Sequence, residues 1–284
     1  MQNGAKLILI TLTLLVLFIS LVWFFILSAT PRGVLSVSFL NIGQGDSIFI
    51  ESPTGVQVLV DGSANGGVLR ELAAVMPFAD RDIDMIIATH PDSDHIAGLI
   101  DVLAHFRVGK ILESSVEGDT PVWATFRDAV VNEQAERSTA LRGQVFDLGG
   151  GAYIEVLFPD RNLPTVETNL GSVVAKLVYG ETSFLLTGDS PSSIEQYLVS
   201  LDRDNLKSTI LKAGHHGSKT STSPLYLGYV DPDLVIFSRG CDNRYGHPSK
   251  EVVALLMKFG EKSLDTCTDG RVTFISDGKE VVRR

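Results

Sequence analysis

The chain has 284 residues, 44% of them hydrophobic, with 24 Lys+Arg against 34 Asp+Glu and a net charge of −10. At roughly 150 residues per domain this length allows one large domain or two small ones. The acidic balance argues against a protein that holds nucleic acid chiefly through a Lys/Arg surface but leaves open a grip on phosphate through metal ions, while 2 Cys and 26 Gly exclude a disulfide scaffold and a collagen-like chain.

Residues 1–6 read as a short tail. From Leu7 to Ser28 no charged residue occurs, and at ~1.5 Å per residue this stretch spans a ~30 Å hydrocarbon core, so 7–29 is expected to form one transmembrane anchor. A cleaved signal peptide is the alternative. It is disfavoured because its apolar region is typically about 7–15 residues and Leu27-Ser28-Ala29 makes a poor cleavage site. Trp23 and Phe24-Phe25 fit an interfacial belt, and Pro31 should stop the helix in a linker, 30–33. Lys6 on one flank nearly balances Arg32 on the other, so charge gives the orientation little support. The expected placement is single-pass in the cell membrane, with the main domain, 34–284, outside the cytoplasm.

That domain opens as an antiparallel meander. Val34–Asn41 alternates like a strand, Gly43–Asp46 turns, Ser47–Glu51 returns, Pro53-Thr54-Gly55 turns again, and Val56–Asp61 makes a third strand. Then come a helix over Gly67–Met76, a buried strand over Asp84–Thr89, and a helix over His95–Phe106 with Ile96, Leu99, Ile100 and Leu103 at helical spacing. A longer helix is predicted over Pro121–Glu136, followed by strands at Gly143–Leu148, Tyr153–Phe158, Ser172–Tyr179 and Ser183–Thr187. The chain then alternates strand Thr209–Ala213, helix Pro224–Tyr229, strand Leu234–Ser238 and helix Ser249–Phe259, and ends in a hairpin turning at Asp277-Gly278. Meander followed by strand–helix alternation, occurring twice, predicts two mixed sheets packed face to face with helices outside.

Four segments carry candidate chemistry. Thr89-His90-Pro91-Asp92-Ser93-Asp94-His95 lies between a buried strand and a helix and offers four potential ligands in six residues, which such a turn can gather around one or two divalent ions. A capping role explains one of its Asp residues but not the flanking histidines. Phe184–Asp189 is an apolar strand ending in Gly188-Asp189, which alone could be a plain turn. In Leu211-Lys212-Ala213-Gly214-His215-His216-Gly217-Ser218-Lys219, adjacent histidines between glycines suit close backbone approach to a ligand, with Ser and Lys donating to an anion. Tyr245-Gly246-His247-Pro248 precedes a helix whose N–H groups, with the imidazole, could face a phosphate; an ordinary helix-entry turn is the alternative.

Taken together, His90-x-Asp92-x-Asp94-His95, Thr187-Gly188-Asp189, Gly214-His215-His216-Gly217-Ser218 and Tyr245-Gly246-His247-Pro248 resemble the metallo-β-lactamase superfamily. Within it they are similar to the soluble C-terminal domain of ComEC-type DNA-uptake proteins. The resemblance runs from Phe39-Leu40-Asn41-Ile42-Gly43-Gln44-Gly45-Asp46-Ser47 through Asp61-Gly62 to the hairpin near Thr273. It implies an α/β (α+β) αββα sandwich, here preceded by the transmembrane helix, with a dinuclear metal site at the sheet edges.

Carried over position by position, the resemblance assigns His90 and Asp92 to a first metal, Asp94 and His95 to a second, and Asp189 as the bridge. One of the adjacent pair His215-His216 completes the second site; His216 is taken as that ligand and His215 as facing the phosphate or supporting a ligand, with the opposite assignment as the alternative. Two departures follow: Asp92 stands where the superfamily commonly has His, and only Asn169 and Ser172 stand where a further His is usual. An oxygen-rich site moves preference from Zn²⁺ toward Mn²⁺ or Mg²⁺, with one or two ions bound. Lys212, Ser218, Lys219 and His247 are candidates for binding phosphate or protonating the leaving oxygen, and Asp46 and Asp61 are read as supporting the ligands.

Cys241 and Cys267 each follow an apparent strand of the last strand–helix–strand unit, so a disulfide is plausible outside the cytoplasm, with two unpaired thiols as the alternative. The expected function is a membrane-anchored, metal-dependent phosphodiesterase or nuclease acting on DNA, working with a separate channel protein since one span cannot conduct DNA; oligomeric state is open. The alternatives are a phosphorylcholine esterase-like enzyme acting on envelope phosphodiesters and a non-catalytic metal-binding module. β-Lactam hydrolysis is disfavoured by the altered ligand set.

Overall fold

The computed structural model describes residues 2–29 and 33–284. Pro31, expected as a helix stop, and the Phe24 and Phe25 side chains, expected in an interfacial belt, lie outside what is described. Helix α1, Gln2–Ala29, takes in most of the expected tail. Its Lys6–Trp23 window has a mean hydropathy of 2.5 and none of its side chains is buried, so by length and composition it can cross a hydrocarbon layer.

The rest builds two sheets. The first has eight strands in the order β15-β14-β1-β2-β3-β4-β5-β6, comprising β1 Leu35–Phe39, β2 Ile48–Glu51, β3 Gln57–Val60, β4 Asp82–Ala88, β5 Arg107–Glu113, β6 Glu136–Thr139, β14 Val272–Ser276 and β15 Val281–Arg283. The second has seven, in the order β13-β12-β11-β10-β9-β8-β7: β7 Val145–Gly149, β8 Ala152–Phe158, β9 Val174–Tyr179, β10 Thr182–Leu186, β11 Ile210–Lys212, β12 Leu234–Phe237 and β13 Ser263–Asp265. In each sheet, antiparallel pairing gives way to parallel pairing: β3 to β6 in the first and β10 to β13 in the second.

Side-chain alternation along the strands explains the layering. In β3, Val58 and Val60 face the other sheet, where they share a core with Phe39, Ile154, Leu177, Phe184 and Phe274. Leu59, between them, faces outward and packs under Leu72 of α2 (Gly67–Val75), Leu99 of α3 (Ser93–His105) and Phe126 of α4 (Pro121–Asn132). On the far side, Leu185, Leu211 and Val235 are covered by Leu198 of α5 (Ser192–Asp202), Leu227 of α6 (Pro224–Val230) and Leu256 of α7 (Lys250–Phe259). The result is a mixed α/β structure of helices, two facing sheets and helices, and the carboxyl ends of β3, β4, β10, β11 and β12 open onto one edge.

Several boundaries differ from the expectation. Helix α3 begins at Ser93 rather than His95, so Asp94 and His95 lie in its first turn. Helix α4, capped by Thr120 Oγ1 accepting from Trp123 N at 3.1 Å, ends at Asn132 because Glu136–Thr139 pairs with β5 as strand β6. Neither β5 nor α5 was anticipated. Arg107, Gly109 and Lys110 break up the apolar run of β5, whereas α5 carries a helical spacing in Ile194, Tyr197, Leu198 and Leu201.

Candidate metal centre

The strand ends supply the site. Beyond β4, the chain crosses Thr89–Asp92 into α3; Asp92 occupies the N-cap position but its side chain makes no capping hydrogen bond. Its Oδ2 lies 3.6 Å from His90 Nε2 instead. Beyond β10, Gly188 (φ 51) turns the chain and Asp189 enters the cluster. Beyond β11, His215 and His216 both adopt positive φ, 47 and 56, a backbone conformation costly for non-glycine residues and common where function demands it. That turn buries His216 among the carboxylates and leaves His215 half-exposed at the mouth.

Three imidazoles are oriented alike. The Nδ1 of His95 is 2.8 Å from Asp61 Oδ2, and that of His216 is 2.9 Å from the Ser238 carbonyl. The Nδ1 of His90 is 3.0 Å from Thr89 Oγ1, whose own proton goes to Asp61 Oδ2 at 2.7 Å. Each acceptor calls for a proton on Nδ1, which leaves the Nε2 lone pair directed into the site. All three Nε2 atoms are buried with no hydrogen-bond partner, as is Asp189 Oδ1. The Nε2 atoms of His95 and His216 lie 3.4 and 3.3 Å from Asp189 Oδ2, and His216 Nε2 lies 3.5 Å from Asp94 Oδ2. The ligand atoms of His90, His95 and Asp189, and those of Asp94, His95 and His216, fall within 4.8 Å of one another.

Buried polar atoms without partners are costly, and a converging set of nitrogen lone pairs and carboxylate oxygens is what a divalent cation satisfies. These residues therefore fit one or two metal ions. The electrostatics agree. Burial works against protonation of His95, but Asp189 and Asp61 outweigh it and hold the imidazole well above its ordinary pKa. The same competition, with Asp189 and Asp46, raises His216. Burial likewise opposes ionisation of Asp189, yet His216, His95 and Lys212 keep its carboxyl well below the usual range; Asp94 is lowered against burial by His216 and His95. The pocket demands positive charge, supplied by protons or by a cation.

Lys212, expected among the phosphate-binding groups, is corrected by its placement. It ends β11 between Leu211 and Ala213, wholly buried, and its Nζ contacts the Asp46 carboxylate, donates to the Gly188 carbonyl at 2.8 Å and sits 3.5 Å from Asp189 Oδ1. Asp46 and Asp189 keep the ammonium charged despite burial. It is a structural countercharge beneath the cluster and cannot reach a substrate. Ser218 is also committed, to Thr220, whereas Lys219 is exposed.

His215 Nε2 is 3.7 Å from Asp189 Oδ2, and its ring lies 5.6 Å from that of His247. Burial lowers the pKa of both. Asp61 buttresses His95, and Asp46 joins Lys212 to His216, its Oδ1 3.3 Å from His216 Nδ1. Asn169 lies in the turn Thr168–Gly171, whose Thr168 side chain bonds Asp92; Ser172, just beyond, accepts from Asp189 N at 3.2 Å. Cys241 and Cys267 form a disulfide beside the loop that carries His247. Sequence reasoning missed Thr89 and the Ser238 carbonyl, since the second anchors His216 through a backbone oxygen that no side-chain pattern announces.

A family model described as the metallo-beta-lactamase superfamily matches residues 40–238. The chain is 31% identical over 263 residues to ComE operon protein 3 of Bacillus subtilis, covering 84% of this chain and 32% of that protein. It is 29% identical over 249 residues to competence protein ComA of Neisseria gonorrhoeae, covering 87% and 33%. The chain thus spans about a third of the length of these relatives. Among solved structures, the diiron β-hydroxylase CmlA of Streptomyces venezuelae shares the fold, with a TM-score of 0.55 at 15% identity over 90% of this chain and 55% of that one.

Proposed function

Because the chain belongs to the metallo-beta-lactamase superfamily, a fold generally used by metal-dependent hydrolases, we propose that it is a membrane-anchored, metal-dependent phosphodiesterase whose substrate is DNA. The observation that carries this reading is the set of three buried, unpartnered imidazole Nε2 atoms, those of His95 and His216 facing Asp189 and that of His90 grouped with them near Asp92. His90 and Asp92 would hold one ion, Asp94, His95 and His216 a second, and Asp189 both. Three carboxylates in that set favour Mn²⁺ or Mg²⁺ over Zn²⁺. When bound, such ions polarise the phosphoryl oxygens and make water acidic enough to supply the nucleophile at neutral pH.

The chain's own groups do the rest. Asp61, Thr89 and the Ser238 carbonyl fix the three imidazoles in one tautomer, so the ligands need no reorientation. His215 and His247, whose protonation burial disfavours, can each donate an N–H hydrogen bond to a phosphate oxygen, and the proton for the departing oxygen would come from water. Lys219, exposed on the same loop, attracts the neighbouring phosphates. Residues 7–29 would anchor the domain, 34–284, on the outer side of the cell membrane. The competence relatives support DNA as the substrate and uptake, alongside a channel, as the setting.

The test is cleavage of single- and double-stranded DNA by the full chain in mild detergent, with Mn²⁺, Mg²⁺, Zn²⁺ or EDTA. Cleavage that requires metal and disappears in Asp94→Ala is expected. Metal binding without cleavage of any DNA overturns the nuclease reading, and turnover confined to base-free diesters moves the substrate to envelope polymers.

A further inference from the structure

The loop between β12 and α7, which carries His247, also holds two side chains that the hydrolytic reading does not use, Arg244 and Tyr245. Tyr245 is 56% exposed, yet it is not a free side chain. Its ring stacks on His247 with centroids 5.7 Å apart and planes inclined by 23°, and the Arg244 guanidinium carbon lies 5.2 Å from the ring centroid. His247 in turn lies 5.6 Å from His215, which faces Asp189. An exposed aromatic ring thus stands two rings away from the candidate metal centre, with the Arg244 guanidinium over it and donating to its hydroxyl at 3.2 Å.

The loop is held in place. Asn243 donates from Nδ2 to the Gly240 and His247 carbonyls at 2.9 and 2.8 Å and accepts from His247 N at 2.8 Å. Arg239 pairs with Asp265 at its start, and the Cys241–Cys267 disulfide ties it to the neighbouring strand-end turn. An aromatic ring fixed in advance binds with less loss of conformational freedom than one on a mobile loop.

We infer that Tyr245, with Arg244, forms a nucleobase-stacking subsite that seats one unpaired base next to the scissile phosphate. The inference rests on the phosphodiesterase reading and narrows its substrate to single-stranded or locally splayed nucleic acid, because a base inside a duplex has no free face to offer. It also answers the charge problem. A net charge of −10 and the burial of Lys212 as a countercharge weaken the electrostatic grip on a strand, whereas stacking on an aromatic face is independent of net charge and accepts any base. Arg244 adds a cation–π contact to the ring and a charge for the adjoining phosphate.

The experiment is a cycle on the full chain in detergent. Wild type, Tyr245→Ala and Tyr245→Phe are titrated with a short single-stranded deoxyoligonucleotide carrying 2-aminopurine, and with versions made abasic at successive positions. Quenching is read with EDTA and with Mn²⁺, and KM and kcat are read with Mn²⁺. Tyr245→Ala is expected to weaken binding about 5- to 100-fold, to raise KM and to lose the quench, while Tyr245→Phe retains them. Removing one particular base should reproduce that loss in wild type and add nothing to Tyr245→Ala. Equal affinity, quench and KM in wild type and Tyr245→Ala overturn the subsite. Quenching through Tyr245 with no cleavage under any metal keeps the subsite and sinks the nuclease reading. Metal-dependent cleavage of base-free diesters with no oligonucleotide binding overturns both the subsite and DNA as the substrate, and leaves a metal-dependent phosphodiesterase.

Discussion

Replacing Lys212 with Met tests whether this side chain serves the fold or the substrate. The Lys212 side chain is 0% exposed, and its ammonium contacts Asp46 and lies 3.5 Å from Asp189 Oδ1. Methionine keeps most of the volume but leaves two carboxylates facing each other in a water-poor cavity. Removing one partner of a buried pair typically costs about 3–5 kcal/mol. For a domain of this size each kcal/mol corresponds to about 2–4 °C, so the metal-free Lys212→Met protein should melt roughly 6–20 °C below wild type. Thermal unfolding by circular dichroism of the full chain in detergent and EDTA measures this. Adding Asp46→Asn should recover part of the loss, since it removes one stranded charge. Mn²⁺ should narrow the gap further, because a cation beside Asp189 supplies what Lys212 did. A Lys212→Met protein within about 1 kcal/mol of wild type in EDTA, with no rescue by Asp46→Asn, would refute the countercharge assignment.

Asp61→Asn keeps the shape but cannot accept from Thr89 N, Thr89 Oγ1 and His95 Nδ1 together; metal affinity by calorimetry should fall about 10- to 100-fold, and an unchanged affinity would mean that His95 needs no orienting partner. The raised pKa values of His95 and His216 make the metal-free protein pH-sensitive. Their protonation contributes stability that is fully present below the ordinary imidazole pKa and is lost as pH rises through their higher folded values, so the melting temperature in EDTA should fall as pH rises above about 6.5, and bound metal should flatten that slope. A flat profile without metal would contradict this. Cys241 and Cys267 close a segment with a sequence separation of 26, so Cys241→Ser should cost about 2–4 kcal/mol in urea unfolding; equal midpoints would show that the bridge adds nothing to the native fold.

How much of this was legible depended on distance along the chain. Thr89–His95 could be read as a ligand loop because strand, turn and helix start are contiguous, and the structure brings His90, Asp92, Asp94 and His95 to one edge through that local geometry. The layered sheets were legible from alternation, as in Val58-Leu59-Val60. The sequence alone puts Lys212 among the phosphate binders because its partner, Asp46, lies far away along the chain. A charged residue between Leu211 and Ala213 in a buried strand still signals an unseen counter-ion. The anchors of His90 and His216 were invisible because a hydroxyl and a backbone carbonyl carry no motif. Local pattern predicts the end of a helix where β6 forms, because its pairing with β5 is a tertiary contact that overrides that pattern.

The three inward-facing imidazoles and their carboxylates are expected to hold divalent metal. The most direct test is metal content: elemental analysis of the full chain in detergent after loading with Mn²⁺ and exhaustive dialysis, beside Asp189→Asn, whose carboxylate faces both His95 and His216. One or two ions retained per chain in the wild type and a marked loss in the variant are expected. Wild-type protein that retains no ion, or a variant that retains as many, would contradict metal binding by this cluster.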